Sequence, residues 1–397
     1  VSRVYVAPGN PGTALEEGVY NLPLNSVSEW LEFAQKEPIE LTVVGPEAPL
    51  ADGVVDAFRK AGLKIFGPTK AAAQLEHSKD FAKQFMFRHN IPTAMSRTFE
   101  DAAAAHAYVD GRGAPIVLKA DGLAAGKGVV VAMTLGEAHE AVDYLMGDAM
   151  GQAGHRLVVE DFLEGEEASF IALVDGSHVL ALATSQDHKR LQDGDVGPNT
   201  GGMGAYSPAP VVTPTIHARV MREIMLPTVA GMKAEGHPYT GFLYAGLMIA
   251  PDGSVKTLEF NCRMGDPETQ PIMVRLKSDL VELIEAALEQ KLDQAEALWD
   301  RRTSLCVVLA AAGYPQAPRK GDAITGIPAA TPECHVFHAG TALVDGKLVT
   351  NGGRVLGVTA LGDTLKAARA NAYEAVDAIG FEGKQYRKDI AWRALKY

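Results

Sequence analysis

The run Glu259-Phe260-Asn261-Cys262-Arg263 puts a carboxylate and an amide two residues apart, with a guanidinium two further on. In a strand, alternate side chains share a face, so these three polar groups point together. A carboxylate and an amide oxygen are hard ligands suited to Mg²⁺ held against nucleotide phosphates. Arg263 would clamp a carboxylate or a phosphoryl group in transfer. The bland alternative is a polar strand face bordering solvent. Against it, the preceding run 242–250 is almost wholly apolar. That predicts a largely buried hairpin, and a buried Glu and Arg need partners.

Three other stretches carry chemistry. Lys119-Ala120-Asp121-Gly122-Leu123-Ala124-Ala125-Gly126-Lys127-Gly128 is glycine-rich with lysines toward both ends. Glycines let a backbone fold over phosphate with its N–H groups facing the oxygens. It is not a Walker A loop: Gly122 stands too close to Gly126-Lys127, and Gly128 replaces the Ser or Thr that would hold Mg²⁺. A plain flexible hairpin is the alternative. The run 156–163 reads as a strand ending in Glu160-Asp161-Phe162-Leu163, with Glu166 and Glu167 after it. A carboxylate there can accept ribose hydroxyls and the backbone can bond an adenine edge; a solvated acidic turn is the competing reading. Residues 186–208 form a long polar stretch. In it Asp187-His188-Lys189-Arg190 supplies cations, and Pro198-Asn199-Thr200-Gly201-Gly202-Met203-Gly204 could wrap phosphate. His188, a lone loop histidine, is read as incidental. No Ser-His-Asp, zincin or CxxC constellation is present.

The elements that must position these groups follow from periodicity. Residues 4–7, 41–44 and 64–66 read as buried strands and 27–35 and 51–61 as helices, an order that predicts parallel β-α-β layering. Loops follow those strands at Pro8-Gly9-Asn10, Gly45-Pro46-Glu47 and Gly67-Pro68-Thr69, and such carboxyl-end loops bind ligands in open parallel sheets. A helix over 70–89 carries Lys79 and Lys83. Residues 116–120 and 129–132 predict an antiparallel pair, 135–146 a helix, and 156–160, 169–174 and 178–183 further strands. The stretch 186–208 predicts a functional or disordered loop. A helix over 213–235 precedes a hairpin turning at Pro251-Asp252-Gly253, and 272–290 predicts another helix. Apolar runs at 304–311, 335–344 and 354–359 with a helix at 364–379 suggest a small third domain.

Length and composition narrow the class. A chain of 397 residues with 47% hydrophobic content predicts two or three domains. The formal charge of −12 argues against a nucleic-acid binder, which shows a basic field. No run is long enough to span a bilayer, and no signal peptide is visible. Cys262, Cys306 and Cys334 resemble neither a disulfide framework nor a zinc site and predict a reducing, cytoplasmic setting.

Taken in order, these residues resemble the ATP-grasp superfamily: Glu76-His77-Ser78-Lys79, then the 119–128 hairpin, the 160–163 hinge and the Glu259–Asn261 strand. Within it the chain resembles glycinamide ribonucleotide synthetases. Arg263-Met264-Gly265-Asp266-Pro267-Glu268-Thr269-Gln270, Val44-Gly45-Pro46-Glu47-Ala48-Pro49-Leu50, the run 198–208 and Asn351-Gly352-Gly353-Arg354 carry the likeness, which covers essentially the whole chain. The resemblance implies an α/β ATP-grasp fold with a pre-ATP-grasp domain at 1–78, an ATP-grasp domain at 79–298 with its lid near 95–160, and a β-rich domain at 299–397. It implies ATP-dependent ligation of glycine to 5-phosphoribosylamine through glycyl phosphate, an early step of purine synthesis, by a monomer or homodimer. Lys79, Lys119, Gly126, Lys127, Gly128 and Asn199 would bind ATP, with adenine at Glu160, Asp161, Phe162 and Leu163 and ribose at Glu167. Glu259 and Asn261 would hold Mg²⁺ (or Mn²⁺). Arg263, Lys189 and Asp187 would be catalytic. Phosphoribosylamine would meet Gly9, Asn10, Gly45, Pro46, Glu47, Thr200, Gly201, Gly202, Met203, Gly204, Asp266, Pro267, Glu268 and Arg354.

Two departures from the pattern accompany this expectation. The family's opening βα unit, with a glycine-rich loop toward phosphoribosylamine, is missing ahead of Val1, so weak use of the amine is expected. The run Leu243-Tyr244-Ala245-Gly246-Leu247-Met248 lacks the additional acidic ligand of many ATP-grasp enzymes, which leaves one or two metal ions open. The rival readings are another ATP-grasp carboxylate–amine ligase and a catalytically degenerate ATP-binding protein.

Overall fold

The computed structural model describes residues 1–124 and 127–397. The expectation placed on Gly126 therefore lies outside the described residues. The chain opens with parallel pairs, as the β-α-β reading requires. Val4–Val6 runs beside Val19–Asn21, and Thr42–Val43 beside Ile65–Phe66. The strand Val19–Asn21 is too short to show a period and escapes the sequence reading. Helix Val54–Lys60 buries Val54, Val55 and Phe58, which join Leu50 and Ile65 in one core.

The predicted 70–89 helix is broken. Gln74–His77 and Lys79–Arg88 are separate helices, because Ser78 is extended (φ −128, ψ 109) and its side chain accepts the Phe81 N–H. The serine competes with the helix for a backbone donor and restarts it as an N-cap. Lys79 thus becomes the first residue of a helix instead of an interior one.

Two antiparallel sheets follow. The smaller orders Ser96–Phe99, Leu157–Asp161, Ile116–Ala120 and Val129–Ala132. Helices Ala102–Arg112 and Leu135–Leu145 cover it through Ala105, Val109, Ala138, Ala141, Val142 and Leu145. The larger orders Val179–Ala181, Glu166–Asp175, Thr240–Ile249 and Val255–Asn261. Glu166–Asp175 and Thr240–Ile249 are buried on both faces, hence their near-continuous apolar runs. Phe170, Leu243 and Ala245 join a core with Ile224, Met225 and Val229. Ile171, Leu173, Phe242 and Tyr244 join another with Leu283 and Ile284. Each such aliphatic side chain contributes roughly 1.5–3 kcal/mol by leaving water.

Two further helix expectations are corrected. The 213–235 helix is Pro214–Val220, a π turn at Met221–Met225, and Leu226–Ala234. Pro227 has no N–H for a regular turn, and the wider turn accommodates it. The 272–290 helix is two: Thr269–Met273 and Leu280–Leu288, the latter started by Asp279, whose side chain accepts the Val281 and Glu282 N–H groups.

The stretch 186–208 is not an irregular loop. It contains Gln186–Asp187, a hairpin of Arg190–Gln192 with Val196–Asn199, and Gly204–Ser207. Gln186–Asp187 and Gly204–Ser207 are the first two strands of a five-stranded sheet completed by Thr303–Ala310, Arg354–Gly362 and Cys334–His338. That sheet joins the ATP-grasp portion to the C-terminal portion with backbone hydrogen bonds. Helix Leu365–Ala378 packs Ala368, Ala372 and Val376 against its Leu305, Val307 and Leu309. Among the described residues no helix is long and apolar enough to cross a membrane.

Candidate active site

A cavity of about 960 Å³ opens where the three portions meet. Its walls bring together residues far apart in sequence: Lys79, Lys119, Gly128, Glu160, Asp161, Phe162, Leu163 and Glu167 at one end, and Gly45, Pro46, Glu47, Thr200, Gly201, Asp266, Glu268 and Arg354 at the other. Asp187, Lys189, Asn199, Glu259, Asn261 and Arg263 line it as well. Among the sequence candidates, Gly9, Asn10, Lys127, Gly202, Met203, Gly204 and Pro267 are not on the wall.

The metal strand is set by an irregularity. Gly246 pairs with Glu259 and Leu247 with Thr257, so Leu258 is an extra, bulged residue. Bulges re-aim neighbouring groups. Here the Leu258 carbonyl turns to accept Lys119 Nζ at 3.1 Å. Beyond the bulge Glu259 and Asn261 keep a common face. Among the described residues no hydrogen-bond or ion-pair partner of the Glu259 side chain is found. Burial pushes its pKa up, but Lys189, Lys119, Lys79 and Arg263 outweigh burial, and the net shift is downward. Glu259 is therefore a carboxylate with no hydrogen-bond or ion-pair partner among the described residues. Among the described residues no group of three or more His, Cys, Asp and Glu converges as a metal site. One carboxylate and one amide oxygen still fit Mg²⁺, which usually keeps waters and takes its other ligands from substrate phosphates.

Cations surround this face. Lys79, at its helix start, donates to the Gly122 carbonyl at 2.9 Å, tying the helix to the glycine-rich turn. Lys119 and Lys83 grip the two oxygens of Glu160 at 3.1 and 3.3 Å, all three side chains being less than 10% exposed. Lys83 also donates to Thr93 Oγ1 (2.6 Å) and the Ala94 carbonyl (3.0 Å). Burial pulls its pKa down to about 8, with Glu160 opposing. Lys83 was noted on its helix but given no role. Its signal is a spacing of four from Lys79, which places both on one helix face.

Arg263 is held in a carboxylate fork. Nη2 lies 2.9 Å from Glu76 Oε1 and Nε 3.3 Å from Glu47 Oε2. The other Glu76 oxygen accepts the Cys262 N–H at 2.8 Å. Glu76 is a site residue that sequence reasoning recorded only as part of a motif. Burial drives its carboxyl up to about 7 even with Arg263 beside it. A carboxyl with a raised folded pKa keeps its proton longer than in the unfolded chain, so stability falls as pH rises from about 4.5 to about 7. Thermal midpoints measured without metal or nucleotide from about pH 5 to about pH 8 should show this decline, flattened in Glu76→Gln. An equal slope in the variant would remove Glu76 as its source.

Beside Arg263, Glu268 Oε1 accepts Tyr244 OH (2.7 Å) and Ser169 Oγ (3.0 Å) in a buried network. Lys189 pairs with Glu167 at 3.2 Å, and that carboxylate raises the Lys189 pKa. Burial pushes the Asp187 carboxyl up to about 7; Lys189 opposes, while Glu268, Glu167 and Glu259 add to it. Arg354 closes the far end. Its Nη1 donates to the carbonyls of Gly201 (2.8 Å) and Asp266 (2.7 Å), and its Nη2 meets Asp266 Oδ2 at 3.1 Å.

The remaining candidates lie off the cavity wall. Asn10 caps helix Pro11–Ala14 and donates to the His338 carbonyl at 2.9 Å. A side chain at Gly9 would collide with Asn21, and one at Gly202 with Pro267. Met203 is fully buried and Gly204 packs on Ile390. Lys127 is exposed. His188 is buried and accepts the Ala391 N–H at Nε2 (3.0 Å), an arrangement in keeping with its omission from the candidate catalytic residues.

Family models of the phosphoribosylglycinamide synthetase N domain, ATP-grasp (A) domain and C domain match residues 1–76, 77–269 and 304–393. The chain belongs to the phosphoribosylglycinamide synthetase family. A phosphoribosylamine–glycine ligase of Ralstonia nicotianae is 66% identical over 397 residues, covering 100% of this chain and 94% of the relative. One of Neisseria meningitidis serogroup A is 64% identical over the same shares. The crystal structure of a Thermotoga maritima phosphoribosylamine–glycine ligase superposes with a TM-score of 0.81 at 37% identity, covering 98% of this chain and 93% of that one. A Campylobacter jejuni biotin carboxylase matches at a TM-score of 0.74 and 16% identity over 99% and 89%, a likeness of ATP-grasp fold alone. Within the phosphoribosylglycinamide synthetase family, then, this chain presents the cavity just described.

Proposed function

We infer that this cavity joins glycine to 5-phosphoribosylamine at the expense of ATP. The chain is a phosphoribosylamine–glycine ligase of purine biosynthesis. In the reading offered here, glycine's carboxylate attacks the ATP γ-phosphate to give glycyl phosphate. The amine nitrogen then forms the C–N bond as phosphate leaves with the C–O electron pair, yielding glycinamide ribonucleotide, ADP and phosphate. The observation that carries this reading is the ionised Glu259, unpartnered among the described residues, facing a cavity ringed by Lys79, Lys119, Lys189 and Arg263.

Placement on the cavity wall supports the following roles. Lys79 and Lys119 neutralise ATP phosphates, and Gly128 lines the same cavity. The backbone from Glu160 to Leu163 seats adenine and Glu167 the ribose. Glu259 and Asn261 would hold Mg²⁺, which supplies charge neutralisation for phosphoryl transfer. Arg263 steadies glycine's carboxylate and the acyl phosphate. Asp187, whose carboxyl titrates near neutrality, is the candidate to take the amine proton, with Lys189 beside it. Glu47, Thr200, Gly201, Asp266 and Arg354 frame the amine substrate. Cys262, Cys306 and Cys334 are all free, which supports a cytoplasmic setting.

The test is ADP release measured with glycine and a panel of amines. Release should require phosphoribosylamine; equal release with an unrelated amine would sink the substrate assignment. Arg354→Ala should raise KM for phosphoribosylamine about 10- to 100-fold, the worth of a charged hydrogen bond, with little change in KM for ATP. Equal changes in both constants would show that Arg354 merely holds the fold.

A further inference from the structure

We propose that the C-terminal segment 387–393 is a clamp that positions the 190–199 hairpin, with Asn199 at its end and Asp187 and Lys189 at its base, for ligation, and that Arg387 is its central positioning residue. The proposal rests on the reading of those three residues as ligase machinery.

The contacts concentrate on one small target. The hairpin of Arg190–Gln192 and Val196–Asn199 turns at Asp193–Asp195. All three turn residues are gripped by the C-terminal segment. Asp193 Oδ1 accepts the Lys388 N–H at 2.8 Å. The Gly194 N–H donates to Asp389 Oδ2 at 2.8 Å. Asp195 Oδ1 accepts Arg387 Nη1 at 2.8 Å, and its other oxygen pairs with Arg393. At the hairpin base, His188, between Asp187 and Lys189, accepts the Ala391 N–H at 3.0 Å. The opposite strand is tied to the same base by the Thr200 N–H, which donates to the Lys189 carbonyl at 2.7 Å.

Arg387 is the keystone by burial. Its side chain is wholly out of solvent. It sends Nε and Nη2 to the two oxygens of Asp389 at 2.7 and 2.8 Å and Nη1 to Asp195. A buried guanidinium with every fork filled fixes the positions of both carboxylates. The fold alone does not require such a device: the short hairpin could hang from its own ladder. Arg387 and Asp389 grip the turn from off the cavity wall, while Asp195 and Arg393 line the cavity together with Asp187, Lys189 and Asn199, so these three face it from a fixed backbone. A misplacement on the order of 1 Å in such a group costs about 10²-fold in rate.

The experiment compares Arg387→Met, Arg387→Lys, Asp389→Ala and Lys189→Met in the full chain. Turnover is expressed per nucleotide-binding site, titrated with ADP, so that unfolded protein does not count. We expect kcat to fall about 10- to 100-fold in Arg387→Met and Asp389→Ala, with ADP affinity within about twofold of wild type and partial recovery in Arg387→Lys. If Arg387→Met binds no ADP because it fails to fold, Asp389→Ala, which is partly exposed and off the cavity wall, decides. Wild-type kcat per site in Asp389→Ala, or in Arg387→Met where it folds, while Lys189→Met is inactive, overturns the clamp. Wild-type turnover in Lys189→Met overturns the reading beneath it, and the clamp with it.

Discussion

Glu259→Gln leaves the chain folded and able to take up nucleotide, yet lowers metal-dependent turnover by about 10²–10³-fold or more, on the scale seen when a group aimed at developing charge is removed. The substitution changes one oxygen to nitrogen and removes a negative charge. In the protein that charge is what balances Lys189, Lys119, Lys79 and Arg263. Among the described residues the carboxylate has no hydrogen-bond partner to lose, but its neighbouring cations hold its pKa below the ordinary value, so neutralising it should lower the thermal midpoint modestly without unfolding the chain. The proposed adenine and ribose contacts at Glu160 to Leu163 and at Glu167 lie on other strands and should persist. The measurement is ADP release against metal concentration, beside nucleotide affinity by titration. Wild-type turnover in this variant would sink the metal assignment.

Arg263→Met is expected to lose turnover by about 10²–10³-fold as well, but by another route and with a different companion effect. Arg263 sits between Glu76 and Glu47 at 2.9 and 3.3 Å. Removing it leaves Glu76 buried without its cation, and loss of one partner of a buried pair costs about 3–5 kcal/mol. Glu76 escapes part of this by holding its proton to higher pH, so the destabilisation should be small in acid and grow as pH rises. Arg263→Lys separates the two roles. A lysine restores a charge near Glu76, so stability should recover, but one ammonium cannot span Glu76, Glu47 and a substrate carboxylate as a planar fork does. The checks are kcat with glycine varied and thermal midpoints across pH. Turnover within about fivefold of wild type in Arg263→Met would remove the guanidinium from the chemistry.

What was legible from the sequence divides by the range of the interaction. The strand pairs 116–120 with 129–132 and 242–250 with 255–261 follow from short apolar runs and turn residues, which are local. So does the shared face of Glu259 and Asn261. The bulge at Leu258 was not legible, because no residue type enforces it; it arises where the ladder must bring Leu258 toward Lys119. The helix break at Ser78 carried a visible signal, a serine before Lys79 at a capping position, and apolar periodicity on both sides masked it. Glu76 and Lys83 receive no role from the sequence because their partners, Arg263 and Glu160, are remote in sequence. Asn10 and Gly9 illustrate a converse ambiguity: residue types that suit a ligand-binding loop also suit the turn that Asn10 caps here, off the cavity wall.

The short strands Gln186–Asp187 and Gly204–Ser207 were missed for want of length, and they have the widest consequence. Through them the sheet of the C-terminal portion runs back across the nominal boundary near residue 298. Pieces cut there would not be two autonomous modules but the halves of a split protein. Each would carry an open ladder edge that only the other fills, so reassembly of the pieces and assembly of the catalytic cavity would be a single event.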